Sequence, residues 1–164
     1  RNEAVLDRAC DLGLAFQLTN IARDIVEDAG TGRCYLPAQW LAEEGIEREQ
    51  LADPVNREKL ARLAARLVDA AEPYYASARA GLAGLPLRSA WAIASAHGVY
   101  REIGVKVKAA GPRAWDRRQG TSKGEKLALL LKGAAQAVSS RVAPTSPPRS
   151  SALWQRPRHD DRAV

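Results

Sequence analysis

The 164-residue sequence contains no methionine, only one phenylalanine and two cysteines, and no long apolar run. Because a membrane-spanning helix needs about 20 mainly apolar residues, we expect no such helix. Cys10 and Cys34 are too few for a disulfide framework or a zinc site, and they suggest a reducing, cytoplasmic setting. An intact translation product normally begins with methionine, so we expect the chain to be the C-terminal part of a longer protein.

Excess positive charge is modest and unevenly placed. The formal net charge is +6, and five arginines against two aspartates in residues 141–164 account for half of it. The remainder is too diffuse to indicate nucleic-acid binding. Residues 141–164 are rich in Pro, Ser and Arg, which predicts a disordered tail after a helical domain spanning residues 1–140. Weak attraction of these arginines to anionic lipids leaves peripheral association with the inner face of the membrane open.

Helical periodicity and turn residues predict an all-α chain. We expect helices over residues 1–29 and 37–44, one after Asp53 with a kink before Pro73, one over 88–110, and one from about 122 to 138. The last helix is opened by a capping box at Ser122 and Glu125. The prediction for His97 is ordinary packing. Tyr74 and Tyr75 are predicted core residues with hydroxyl groups at the surface.

One stripe of the first helix carries polar side chains. At about 100° per residue, four of them fall within an arc of roughly 80°. They are Gln17, Asn20, Asp24 and Asp28. The stripe continues towards the N-terminus through small or apolar residues, namely Leu6, Cys10 and Gly13. Because the opposite face is also apolar, the helix is predicted to be buried, with its polar stripe facing an interior space.

Two aspartates one helical turn apart suggest a metal site, since buried carboxylates are costly unless they are paired or bind a cation. With Asn20 one turn earlier, Asp24 and Asp28 offer oxygen ligands that suit Mg²⁺, or Mn²⁺ as the alternative ion. Substrate phosphates would complete such a site. The spacing alone is equally compatible with a solvated polar helix face.

The residues from Leu12 to Pro37 read L-G-x3-Q-x2-N-I-x-R-D-I-x2-D-x4-R-x-Y-x-P. This string resembles the second aspartate-rich signature of the squalene/phytoene synthase family, and the later strings YYASARAGL and VYREIGVKV extend the resemblance from about Glu3 to Val138. The resemblance implies the C-terminal half of the all-α trans-isoprenoid-synthase fold. It also implies that an N-terminal half of the same protein, carrying a first aspartate-rich motif, is the missing structural partner.

The activity implied by the resemblance is prenyl transfer. Two prenyl diphosphates, expected to be geranylgeranyl diphosphate, would condense head to head to give phytoene in carotenoid synthesis, and the fragment alone would be inactive. Squalene and dehydrosqualene synthases remain alternatives, because they share the motif and differ in prenyl chain length. A non-catalytic scaffold relative is a further alternative, although such proteins tend to lose the metal aspartates. A basic nucleic-acid binder would not explain the polar stripe.

The resemblance also implies residue roles. Mg²⁺ would be held by Asn20, Asp24 and Asp28, the two aspartates serving catalysis through the metal. Gln17 and Tyr100 would border the carbocation, and the apolar end of the stripe would face the prenyl tail. The diphosphate-binding residues would be Arg23, Arg33, Arg117 and Arg118. Gln119 and Gly120 stand where the family usually shows an apolar, β-branched pair.

Overall fold

A computed structural model of the chain describes residues 2–142 and 147–157. Five α-helices follow one another: α1 (Glu3–Gly30), α2 (Ala38–Glu44), α3 (Arg57–Ala80), α4 (Leu87–Ala110) and α5 (Lys123–Val142). Single 3₁₀ turns lie between several of them, and the described ranges contain no strand. The prediction of an all-α chain is confirmed. None of these helices is both long enough and apolar enough to cross a bilayer.

Helix ends agree closely with the turn residues in the sequence. Gly45 takes a left-handed conformation (φ 61°) after α2, where a side chain would be strained. Ahead of α3, the Asp53 carboxylate accepts a hydrogen bond from the backbone N–H of Val55 at 3.0 Å. The capping box is present before α5: the Ser122 N–H donates to Glu125 at 2.7 Å, and the Glu125 N–H donates to the Ser122 hydroxyl at 3.2 Å. Local chemistry therefore fixes these boundaries.

The core forms where α1 packs on α3 and α4. α1 contributes one buried face, which consists of Asp11, Leu12, Ala15, Thr19, Ala22 and Ile25. α3 presents buried residues at helical intervals, among them Leu60, Leu63, Leu67 and Ala71. Pro73 lies inside α3, and the kink expected before it stays a prediction.

Tyr75 differs from the prediction of a surface hydroxyl. The side chain is only 2% exposed, and its hydroxyl hydrogen-bonds the Thr19 hydroxyl at 2.8 Å. Burial raises the pKa of Tyr75 to about 12. His97 packs edge-on against the Tyr75 ring, and its Nε2 is 3.0 Å from the Tyr75 carbonyl oxygen. His97 is 8% exposed, so the prediction of ordinary packing is confirmed, and its burial lowers the pKa of the imidazole.

α5 lies against α4 at a very close backbone approach. A Cβ atom added to Gly133 would stand 2.5 Å from the Ser95 Oγ and 2.9 Å from the Ser95 backbone nitrogen. No side chain fits at that distance, so glycine is required there. Trp91 Nε1 donates to the Leu130 carbonyl at 2.9 Å, while the Trp91 side chain stays 46% exposed.

Residues 147–157, called the C-terminal strap below, differ from the predicted disordered tail. They turn back onto α1 and α3, where Leu153 is buried and Arg149 forms an ion pair with Asp11. The sequence suggested only solvated arginines because a buried carboxylate on α1 was not anticipated. The remaining tail residues, 143–146 and 158–164, lie outside the described residues, and the boundary at residue 140 stays a prediction.

Candidate functional site

The polar stripe of α1 lies on an accessible face of the described residues. Gln17 and Gly13 are exposed, Leu6 is 36% exposed, and Asn20 and Asp24 are half-buried. Within the described residues α1 is therefore not buried all round, and the interior space expected for its polar stripe stays a prediction. Within the described residues, α3 and α4 pack on the other face of α1, and no helix covers the stripe.

Asp24 is the centre of charge on this stripe. Arg23 donates hydrogen bonds to both carboxylate oxygens, from Nε to Oδ1 at 2.8 Å and from Nη2 to Oδ2 at 2.5 Å. Arg118, from the segment between α4 and α5, lies 3.4 Å from Asp24 Oδ1 and pairs with Glu27 at 2.6 Å. The hydrogen bonds that Arg23 donates to Asp24 raise the pKa of the Arg23 guanidinium. Two of the four predicted diphosphate-binding arginines thus meet at a predicted metal ligand.

Asn20, one turn before Asp24, has an unsatisfied acceptor. Its Oδ1 is buried and has no hydrogen-bond partner among the described residues. A buried carbonyl oxygen without a donor is unfavourable in itself but suits a cation ligand. The described side chains bring no three His, Cys, Asp or Glu residues together. A cation at Asn20 and Asp24 would therefore draw further ligands from a substrate, and the donor set fits a hard divalent ion.

Asp28 and Arg33 come together at the C-terminal end of α1. The Arg33 backbone N–H donates to the Asp28 carbonyl at 2.9 Å. Both residues line a shallow depression with Tyr35, and the Arg33 and Tyr35 side chains are exposed. The turn after α1 thus places an arginine beside the second aspartate, as the signature implies.

Tyr100 borders the stripe from α4. Its ring stacks on Phe16, with centroids 4.2 Å apart and an interplanar angle of 26°. It also lies close enough to Arg23 to add, after Asp24, to the rise in the arginine pKa. The structure therefore places Tyr100 near Phe16 and Arg23, and its proximity to Gln17 stays a prediction.

Arg117 is the predicted site residue that the structure does not bring to the stripe. Its side chain is exposed and has no partner among residues 2–142 and 147–157. Gln119 holds the local turn by donating to the carbonyls of Ala114 at 3.0 Å and Arg117 at 3.1 Å. The Gln119-Gly120 departure is thus compatible with Arg118 reaching Asp24.

A second concavity lies away from the stripe. A cleft of about 670 Å³ between α3, α4 and α5 includes none of the predicted site residues. Its cationic side chains, Arg79, Arg101 and Lys132, are all exposed. Arg101 pairs with Glu72 at 2.9 Å. By volume alone this cleft would be the candidate ligand site, but it lacks the unsatisfied buried acceptor found at Asn20.

Sequence reasoning missed two charged contacts of α1. Glu27 pairs with Arg118, and Asp11, with no exposed surface, pairs with Arg149. For Asp11 a signal was present, because it is the one acidic residue on the buried face of α1. Its arginine partner, 138 residues away, could not be identified from spacing.

Comparison with known proteins gives consistent matches. Residues 1–125 match the family model described as Squalene/phytoene synthase. A 15-cis-phytoene synthase of Enterobacter agglomerans is 71% identical over 96% of this chain and 53% of its own length. A 15-cis-phytoene synthase of Pantoea ananas is 66% identical over 96% and 50% of the two chains, and one from a Paracoccus species is 51% identical over 97% and 51%. The chain spans about half the length of these curated relatives. No solved structure gives a significant match.

Proposed function

Because the chain belongs to the squalene/phytoene synthase family, we propose that the full-length protein containing it condenses two geranylgeranyl diphosphates head to head to give phytoene. The names of the relatives support this activity. The observation that carries the proposal is the α1 stripe, where the unsatisfied Asn20 oxygen lies one turn from Asp24 and its two arginines. The half of the relatives' length that this chain does not span would supply the rest of the cavity.

Asn20, Asp24 and Asp28 would hold a divalent cation, which we propose is Mg²⁺, with Mn²⁺ as the alternative. Bound there, the ion would neutralise charge developing on the departing diphosphate. Asn20 offers its oxygen without breaking an existing contact. Asp24 would exchange hydrogen bonds from Arg23 for the cation, and the two carboxylates would leave positions for phosphate oxygens.

Arg23 and Arg118 would hold the diphosphate. Guanidinium groups match phosphate oxygens with paired N–H donors, and both groups already converge on one carboxylate. When a cation occupies Asp24, their donors become available to an anion at the same place. Arg33 would extend this anion site beside Asp28, whereas the role of Arg117 rests on the family resemblance.

Tyr100 and Gln17 would border the carbocation. The Tyr100 ring is an electron-rich surface held against Phe16, and aromatic faces attract cations. Leu6, Cys10 and Gly13 would receive the prenyl chain at the other end of the stripe. An apolar lining there would keep water from the cation.

Product analysis tests the proposal. The full-length protein is incubated with labelled C15 or C20 prenyl diphosphate, with and without Mg²⁺. We expect a C40 hydrocarbon that requires the metal. As a control, Asp69→Asn removes an exposed carboxylate that pairs with Lys108 on the outside of α3 and should leave turnover unchanged. Preferred formation of a C30 product would replace the proposal with a squalene-type synthase.

Titration calorimetry tests the cation site separately. Because the site needs phosphate oxygens to complete six ligands, Mg²⁺ should bind weakly alone and tightly with an unreactive diphosphate analogue. Tight binding without the analogue would contradict the ligand set.

We also propose that α5 brings the protein to an anionic bilayer, where apolar prenyl substrates reside. Its outer face exposes apolar side chains, namely Leu127, Leu130, Leu131, Val138 and Val142. Two exposed lysines, Lys123 and Lys126, lie in the first turn of the same helix. The acidic residue of the helix, Glu125, is bonded to Lys106 at 2.7 Å. A helix with an apolar face and a basic first turn suits an anionic interface.

Vesicle sedimentation tests this contact. The full-length protein should sediment with phosphatidylglycerol-containing vesicles, and Leu127→Ser/Leu131→Ser should reduce the bound fraction at least tenfold. Val55→Ser changes another exposed apolar residue, 78% exposed and outside α5, and should bind as the wild type does. Equal binding of all three proteins would exclude the α5 face as the contact.

A further inference from the structure

Trp91 is a large apolar side chain that stays accessible where α4 meets α5. Its side chain is 46% exposed, although its indole N–H already donates to the Leu130 carbonyl at 2.9 Å. An indole that leaves water needs an acceptor for this N–H, because an unpaired polar group is costly in an apolar phase. Leu130 supplies that acceptor, so the Trp91 ring can enter an apolar phase without leaving a donor unsatisfied.

The same hydrogen bond places Trp91 at the edge of the exposed apolar face of α5. Taking Leu130 as zero and about 100° per residue, Leu127 and Leu131 lie at roughly 60° and 100° around the helix. Leu130 itself is 42% exposed. Gly133, which lies against α4, is at roughly 300°. Trp91 therefore reaches α5 at the border between its packed side and its exposed apolar side, and continues the apolar face onto α4.

The cleft between α3, α4 and α5 opens on a different side of α5. Lys132 and Gln136 line that cleft and lie at roughly 200° and 240° on the same scale. The apolar face that begins at Leu130 is thus a surface of its own and not the rim of the cleft.

The charges of the two helices favour an anionic partner for this face. Residues 87–100 of α4 and the whole of α5 contain five Lys and Arg residues, namely Arg88, Lys123, Lys126, Lys132 and Arg141. The same stretches contain a single acidic residue, Glu125, and both of its carboxylate oxygens lie 2.7 Å from Lys106 Nζ. An anionic lipid bilayer offers both an apolar phase for the exposed side chains and negative charge for the basic ones.

We propose that Trp91 anchors the protein at an anionic bilayer, so that the contact surface includes α4 as well as α5. The indole would lie at the boundary between headgroups and acyl chains, where tryptophan is enriched in membrane proteins, with its N–H still bonded to Leu130. Because this bond ties α4 to α5, the two helices would meet the membrane as one surface. The inference rests on the bilayer contact proposed above for α5 and adds a residue of another helix to it.

Fluorescence quenching by brominated lipids tests the position of Trp91. The full-length protein is bound to phosphatidylglycerol-containing vesicles whose acyl chains carry bromine either near the headgroup or near the bilayer centre. Bromine near the headgroup should quench the tryptophan emission more strongly, and most of this quenching should be lost in Trp91→Phe. Trp154→Phe changes an indole of similar exposure, 49%, on the C-terminal strap and should retain the quenching.

Vesicle sedimentation measures what the anchor contributes to binding. Trp91→Ala in the full-length protein should weaken binding to the same vesicles about tenfold, because a large apolar side chain is lost from the contact. Trp154→Ala should bind as the wild type does. Thermal melts identify any variant that is not folded, and Trp91→Phe, which keeps an aromatic ring, allows the quenching test even if Trp91→Ala does not fold.

The possible failures can be told apart. If the wild type binds vesicles and Trp91→Phe is quenched as strongly as the wild type, the role of Trp91 is overturned while the α5 contact stands. A wild type that does not bind anionic vesicles overturns the α5 contact and this inference together. Emission that changes with protein concentration and is not quenched by brominated lipids would assign the face to a second copy of the protein instead.

Discussion

The carboxylates at the two ends of α1 differ in burial and in how fully they are hydrogen-bonded. At the N-terminal end Asp11 is fully buried, and Arg149 and Ser77 satisfy both of its oxygens. At the C-terminal end Asp24 is partly exposed and held by its own neighbour Arg23, while the nearby Asn20 oxygen has no described partner. Satisfied polar groups rigidify a structure, whereas an unsatisfied group leaves binding capacity. The carboxylate at one end of the helix is thus fully satisfied within the protein, whereas the other end keeps the unsatisfied oxygen on which the proposed ligand site depends.

The sequence distance between partners reinforces this difference. Arg149 and Asp11 are 138 residues apart, so their pairing closes the chain on itself and is lost only with the strap. Arg23 and Asp24 are adjacent, and their contact can open without moving any backbone. The exchange of this ion pair for a cation, as proposed above, would therefore need only side-chain movement.

The largest expected effect is on catalysis at the C-terminal end. Asp24→Asn in the full-length protein keeps the shape and removes one charge from the proposed metal site. Turnover should fall about 10³-fold or more, since a single lost electrostatic contact costs about 10²–10³ in rate and a metal ligand is worth more. The melting temperature should hardly change. Product formation and melts on one preparation check both, and an active but unstable variant would remove the metal assignment.

The next effect is on stability at the N-terminal end. Arg149→Met leaves Asp11 buried without its counter-charge and should lower the free energy of unfolding by about 3–5 kcal/mol. Asp11→Leu/Arg149→Met should recover most of that loss. Urea titrations measure the free energy of unfolding of each variant, and their m values are compared with that of the wild type. If the single variant were as stable as the wild type, the contrast between the two ends would fail.

A smaller effect is expected between the two ends. Thr19→Val is nearly isosteric but leaves the Tyr75 hydroxyl buried without its partner, at a cost of about 1–3 kcal/mol. Thr19→Ser keeps the hydroxyl and should lose less. Equal losses in the two variants would show that the methyl group, and not the hydrogen bond, matters at this position.

The smallest effect is expected for a carboxylate outside α1. Hydrogen bonds from Lys106 and then Ser122 lower the pKa of Glu125 to about 2, below the ordinary value of about 4.3. Because the folded state holds the ionised form, the stabilisation is present above pH 4.3 and is lost as the pH falls towards 2. In Glu125→Gln, the helicity measured by circular dichroism should depend less on pH between 4.3 and 2 than it does in the wild type. A wild type whose helicity does not change over this pH range would contradict the shifted pKa.

Local features of this fold could be predicted from the sequence, and long-range features could not. Gly45, Asp53 and the Ser122 capping box mark helix ends, because their chemistry acts within a few residues. The Arg23–Asp24–Asn20 arrangement also lies within one turn. Burial of the Tyr75 hydroxyl depends on Thr19, 56 residues away, and periodicity carries no information about such a pair.

The stripe shows the same limit. Periodicity identified its members, but which face of α1 is covered depends on where α3 and α4 pack. The Arg118 side chain lies 3.4 Å from Asp24, whereas the Arg117 side chain, one residue earlier, has no partner among the described residues, and the diphosphate-binding role of both stays a prediction. A one-residue difference in a turn lies beyond what spacing can decide.

The close approach of α4 and α5 at Gly133 has a geometric consequence for the whole molecule. A single added carbon would stand 2.5 Å from Ser95, so α5 can lie this close to α4 only with glycine at position 133. The same close contact sets the position of Leu127 and Leu131 relative to the polar stripe on α1. Gly133→Ala would tilt one relative to the other without altering a residue of either. The orientation of the outer face of α5 relative to the polar stripe of α1 therefore depends on the absence of one methyl group.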